Sequence, residues 1–99
     1  MFQIKWTSEA EKRYLKTLEF WIEHNQSSSY SIKIMNEVAF QEKLLSENPY
    51  IGHIINLFEN EIRRIVILKN FSIYYKINEN SVEILSFWSN KMNPQKLNL

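Results

Sequence analysis

The stretch from Ile62 to Leu97 constrains the fold more than any other part of this 99-residue chain. It reads IRRIVILKNFSIYYKINENSVEILSFWSNKMNPQKL: three β-rich runs joined by two tight turns, then a short polar tail closing on Asn93-Pro94. Runs of β-branched and aromatic residues broken by two-residue polar turns form antiparallel hairpins. A turn at Glu79-Asn80 pairs Ile77 with Val82, Tyr75 with Ile84, Ile73 with Ser86 and Phe71 with Trp88. It also sets Lys76 opposite Glu83, a pairing of about 0.2–1 kcal/mol that a one-residue slip would forfeit. One face then carries Phe71, Ile73, Tyr75, Ile77, Val82, Ile84 and Trp88; the other carries Ser72, Tyr74, Lys76, Glu83, Leu85 and Phe87. A turn at Lys69-Asn70 adds Arg63, Ile65 and Ile67 to the second face and Arg64, Val66 and Leu68 to the first.

Upstream, Phe2, Ile4 and Trp6 alternate with Gln3 and Lys5, the pattern of a half-buried strand. Ser8 with Glu11 three residues on reads as a capping box. Ala10, Tyr14, Leu18, Trp21 and Ile22 then recur at helical spacing. Asn25–Ser29 breaks the pattern, and a second helix is predicted from Tyr30 to Leu45 with Ile34, Val38 and Leu45 on one face. Glu47-Asn48-Pro49 ends it, Asn48 being suited to a left-handed cap and proline unable to continue. Gly52 and His53 fall in the loop that follows. The fold class expected is therefore α+β: an N-terminal strand, an antiparallel helical hairpin, then a three-stranded antiparallel meander, all one domain over residues 1–99.

The second face so assigned holds Ile65, Ile67, Tyr74, Leu85 and Phe87, too apolar to stand in water, and the eleven residues after Trp88 are too few to cover it. A protein partner on that face is expected. The chain has no cysteine, so no thiolate metal site or disulfide is available. It has no signal-peptide pattern and no run of about 20 apolar residues, so a cytoplasmic protein is expected.

Twelve Lys and Arg against eleven Asp and Glu leave a formal charge of +1, so any footprint for an anionic partner must be local. The acid-poor stretch is Arg63, Arg64, Lys69 and Lys76, and the tail adds Lys91 and Lys96. His24 and His53 read as surface residues, with no ligand-like spacing to a second His or carboxylate. A single glycine excludes a phosphate-cradling loop, and no nucleophile–histidine–acid set is legible. No metal or cofactor is expected.

The motifs Trp6-Thr7 with Ala10, Asn48-Pro49-x-x-Gly52, Ile62-Arg63-Arg64, Asn70-Phe71-Ser72-Ile73-Tyr74-Tyr75 and Trp88-x-Asn90-x-x-Asn93-Pro94-x-x-Leu97 occur in order. In a chain of this length they resemble the RelE/ParE superfamily, the small toxins of bacterial type II toxin–antitoxin systems. The resemblance implies a helical hairpin on an antiparallel sheet and a cognate antitoxin wrapping the toxin in a hetero-oligomer, with operator DNA met only through that antitoxin. It points to Ile65, Ile67, Tyr74, Leu85 and Phe87 as antitoxin contacts, and to Arg63, Lys69, Lys76, Trp88, Asn90 and Lys91 as target contacts. Ribosome-dependent RNases of the superfamily carry an arginine that aligns with Ser72 here and often a tail His, Arg or Tyr, where this chain has Trp88, Ser89, Asn90 and Lys91. That departure favours a ParE-like toxin that binds DNA gyrase without chemistry of its own. The alternatives are a metal-independent, ribosome-dependent mRNA endoribonuclease of RelE type, and an inactive toxin-fold protein acting only as an antitoxin-binding co-repressor.

Overall fold

A computed structural model describes residues 1–56 and 60–91. Glu59, Lys96 and the closing Asn93-Pro94-x-x-Leu97 motif lie outside the described residues. The elements run β1 (Gln3–Trp6), α1 (Ser8–Asn25), α2 (Ser29–Glu47), a 3-10 turn (Pro49–Ile51), β2 (His53–Asn56), β3 (Ile62–Ile67), β4 (Phe71–Asn78) and β5 (Ser81–Ser89). They build one five-stranded sheet in the order β1-β5-β4-β3-β2. The expected strand, helical hairpin and antiparallel meander are all present. Two pairings extend them: β1 lies parallel to β5, with Ile4 beside Val82, and β2 lies antiparallel to β3, with His53 opposite Arg64. Residues 53–56 are thus a strand rather than loop. Four residues, all exposed, are too few to show an alternation that distinguishes a strand from a connection.

Local chemistry places the helix ends. Thr7, in extended conformation, accepts the Ala10 amide on its hydroxyl at 3.2 Å. Thr7 is therefore the cap and Ser8 the first helical residue, each one position earlier than the capping-box reading has it. Gln26, with φ 53°, closes α1 in the left-handed region. Asn48 is extended (φ −148°, ψ 94°) rather than left-handed; its Oδ1 accepts the Tyr50 amide and so starts the 3-10 turn.

Both helices pack on one face of the sheet. Ala10, Ile34, Val38 and Leu45 meet Ile65, Ile67, Phe71, Ile73, Tyr75, Val82, Ile84 and Phe87 in a common core. Below the turn at Glu79-Asn80 the register is as expected: Tyr75 faces Ile84, and Lys76 faces Glu83 with Nζ 3.4 Å from its carboxylate. Above it, Tyr74 pairs with Ser86, which leaves Leu85 as a bulge. A bulge inserts one unpaired residue and shifts every later partner. Ile73 therefore faces Phe87 instead of Ser86, and Phe71 faces Ser89 instead of Trp88. Phe87 turns into the core and Trp88 to the outer face, the reverse of the expected assignment.

The β3–β4 turn shifts by one residue as well. It spans three residues, Leu68 to Asn70, with Ile67 opposite Phe71. Since side chains alternate along a strand, the extra residue exchanges the two faces of β3. Ile65 and Ile67 lie in the core, while Arg64 and Val66 stand on the outer face. That face carries a second buried cluster of Ile62, Tyr74 and Trp88, flanked by Leu85.

Candidate functional site

The outer end of β3, β4 and β5 gathers a polar constellation that the wrong turn length had hidden. Arg64 reaches across from β3, and its Nε donates to the Ser72 hydroxyl at 2.8 Å. Its Nη2 donates to Asn90 Oδ1 at 3.4 Å, and Ser72 Oγ donates to the same oxygen at 2.5 Å. Asn90 is itself pinned: its Nδ2 donates to the Lys69 carbonyl at 3.1 Å and its backbone N–H to the Asn70 carbonyl at 2.8 Å. Trp88 stands directly across from Ser72 on the same face, 3% exposed. Its indole N–H finds no acceptor among the described residues, and the Arg13 guanidinium lies over its ring, 4.5 Å from the centroid. Lys69 and Lys91 stand exposed on either side of Asn90. Among the described residues no carboxylate pairs with Arg64, Lys69 or Lys91.

Of the residues named from the sequence, Lys69, Trp88, Asn90 and Lys91 lie together; Arg63 and Lys76 do not join them. Arg63 faces the helical side, where Nη1 donates to the carbonyls of Tyr50 (3.0 Å) and Gly52 (2.9 Å). Its Nε and Nη2 bind Glu61 Oε2, and its side chain is only 11% exposed. It clamps the 3-10 turn and offers nothing outward. Lys76 is four residues along β4 from Ser72, about 13 Å, and is engaged by Glu83. Of the five residues expected on the partner face, Ile65, Ile67 and Phe87 are core residues for the register reasons above; Tyr74 and Leu85 keep the outer position.

Three residues at the site escaped sequence reasoning. Arg64 was placed towards the helices, Ser72 read as the loss of an arginine, and His53 read as loop. In the fold Arg64 delivers a guanidinium onto Ser72 from the neighbouring strand, and His53 sits directly across from Arg64 on β2. Only the turn length carries this information, and Leu68 with Lys69 at positive φ (51° and 65°) gives no sequence signal, since neither is Gly or Asn.

A cavity of about 380 Å³ opens beside Arg64, lined also by Gln41, Ile51, His53, Ile55, Ile65 and Val66. A second, of about 300 Å³, lies between α1 and β5 with Phe20, Trp21, Phe71 and Phe87 on its walls and Arg13 and Lys16 at its rim. The phenols of Tyr14 and Tyr75 are both pushed above their ordinary value, in each case first by burial. Neither belongs to the outer constellation. No helix among the described residues is long and apolar enough to cross a membrane.

No curated protein matches the chain by sequence. Among solved structures, one of a chromosomal ParDE toxin–antitoxin system from P. aeruginosa is similar, with a TM-score of 0.71 over 90% of this chain and 96% of that one. Its 16% identity shows a shared fold alone. The model of the family described as the ParE toxin of the type II toxin–antitoxin system parDE matches residues 4–94. With nearly the whole chain inside that match, the protein belongs to the ParE toxin family of type II toxin–antitoxin systems.

Proposed function

We propose that this family member inhibits growth in the cytoplasm by holding a protein target, with DNA gyrase as the expected one, and that a cognate antitoxin neutralises it. The observation that carries this reading is the makeup of the outer constellation. A guanidinium, a hydroxyl, an amide and two lysines hold an anion well, and the hydroxyl proton of Ser72 is already given to Asn90. The antitoxin is assigned to the apolar residues that the fold leaves in water on the helical hairpin: Leu15, Phe20, Ile22, Ile32, Met35 and Phe40.

One observation favours the mRNA endoribonuclease as a second reading. His53 opposite Arg64 brings an imidazole, the common general base near neutral pH, beside a cation that could steady a phosphate. Inducing the chain without antitoxin separates the two. The binding reading expects DNA breaks and filamentation with mRNA uncut, relieved by Arg64→Gln and indifferent to His53→Ala. Codon-periodic cleavage of ribosome-bound mRNA, abolished by His53→Ala, would overturn it.

A further inference from the structure

Aromatic rings dominate the cavity of about 300 Å³ between α1 and β5. Phe71 and Phe87, 2% and 1% exposed, stack with their centroids 5.4 Å apart and form its buried wall. Phe20 and Trp21, edge to face at 5.1 Å, form the wall on α1, and Phe20 stays more than half exposed. Such a lining offers water little, whereas a further ring meets faces and edges at the separations of about 4.5–7 Å that aromatic pairs favour.

Two cations, Arg13 and Lys16, stand at the rim, and no carboxylate lines the cavity. The Arg13 guanidinium is fixed in place yet keeps donors to spare. It lies over the Trp88 ring, 4.5 Å from the centroid, a contact that engages its face and leaves its in-plane N–H groups for hydrogen bonds. Its Nε reaches Glu9 at 3.4 Å, but that carboxylate is 70% exposed, and an ion pair so open to water holds weakly. Nη1 and Nη2 meet no acceptor among the described residues. Together they match the two oxygens of a carboxylate. Lys16 likewise pairs with no carboxylate among the described residues.

We propose that this cavity binds a small aromatic carboxylate, its ring among Phe20, Trp21, Phe71 and Phe87 and its acid group on Arg13 and Lys16. Size favours a free small molecule over a segment of protein. The volume lies at the lower end of the range of about 300–1,000 Å³ that takes such ligands, and a helix about 10 Å across cannot enter it. The site is separate from the outer constellation and shares only Phe20 with the surface assigned to the antitoxin.

The test follows the three tryptophan indole N–H resonances of the full chain, without antitoxin, by NMR, with hydrocinnamate as probe. The acid should shift Trp21, which lines the cavity, and Trp88, which stacks on Arg13. Trp6, whose indole N–H donates to Glu42 at 2.9 Å, should stay in place. Hydrocinnamate should bind at least about tenfold more tightly than its uncharged amide, because a charge-assisted hydrogen bond outweighs a neutral one. Arg13→Gln should remove most of that difference, and Arg13→Gln with Lys16→Gln all of it. Phe20→Ala, at an exposed site, should weaken acid and amide alike. Equal affinity for acid and amide, a difference that survives the double replacement, or no saturable shift would overturn the proposal. Tighter binding of Ac-Asp-Phe-NH2 than of the free acid would overturn it too, by giving the cavity to a protein side chain.

Discussion

Tyr75 is the residue on which the loop before β2 depends. Its hydroxyl donates to the Pro49 carbonyl at 2.7 Å and accepts the Gly52 amide at 3.0 Å, so one buried phenol satisfies two backbone groups. Tyr75→Phe should cost about 1–3 kcal/mol in urea unfolding, because those groups lose their partner away from water. A Cβ at Gly52 would overlap the Tyr75 ring and hydroxyl, which is why glycine is needed there. Gly52→Ala should therefore destabilise as well, and by less in the Tyr75→Phe background than alone. Acidity gives an independent check. Burial raises the phenol of Tyr75, and likewise that of Tyr14, above 10.0, while the unfolded phenol stays near that value. The fold thus favours the protonated phenols, and their contribution is complete below about pH 10. It is lost as pH rises through the raised values. Unfolding free energy should fall on the alkaline side of pH 10, and Tyr75→Phe should flatten that decline.

Elements show where reading a sequence succeeds and where it stops. The Glu79-Asn80 hairpin was legible because a polar two-residue turn lies between alternating runs and Lys76 meets Glu83 across them. Faces beyond the first few pairs were not, since parity along a strand is lost with any uncounted residue. Leu85 is such a residue in β5, and the third turn residue before β4 is another; together they moved Ile65, Ile67, Phe87, Trp88 and Arg64 to opposite faces. The bulge makes an asymmetric prediction. Removing Leu85 leaves the pairs on either side intact, so the deletion variant should still melt cooperatively. Removing Glu83 throws Val82 or Ile84 out of the core, and that variant should show no cooperative transition. The β3–β4 turn stores strain in Leu68 and Lys69, both left-handed. Lys69→Gly should stabilise the protein by about 0.5–1 kcal/mol by thermal unfolding, the left-handed penalty of about 1–2 kcal/mol less the entropy that glycine loses.

For the molecule as a whole, apolar surface is divided unevenly. Phe20 and Phe40, on α1 and α2, are more than half exposed. Replacing both with lysine should raise several-fold the concentration at which the isolated chain sediments as a monomer. Stability should change by no more than about 0.5 kcal/mol, because neither side chain fills the core. α+β layout and family were readable from the order of runs and breaks; which apolar residues stay exposed was not, because that depends on packing in three dimensions. The parallel seam between β1 and β5 bears on when this molecule can exist at all. Gln3 to Trp6 are made long before Ser81 to Ile84, their only strand neighbour among the described residues. The hairpin of helices can form early, but the sheet beneath it closes only after Ser81 to Ile84 have been made. A chain cut short anywhere before residue 81 therefore lacks the strand that β1 pairs with, so a toxin built this way completes its sheet in one late step.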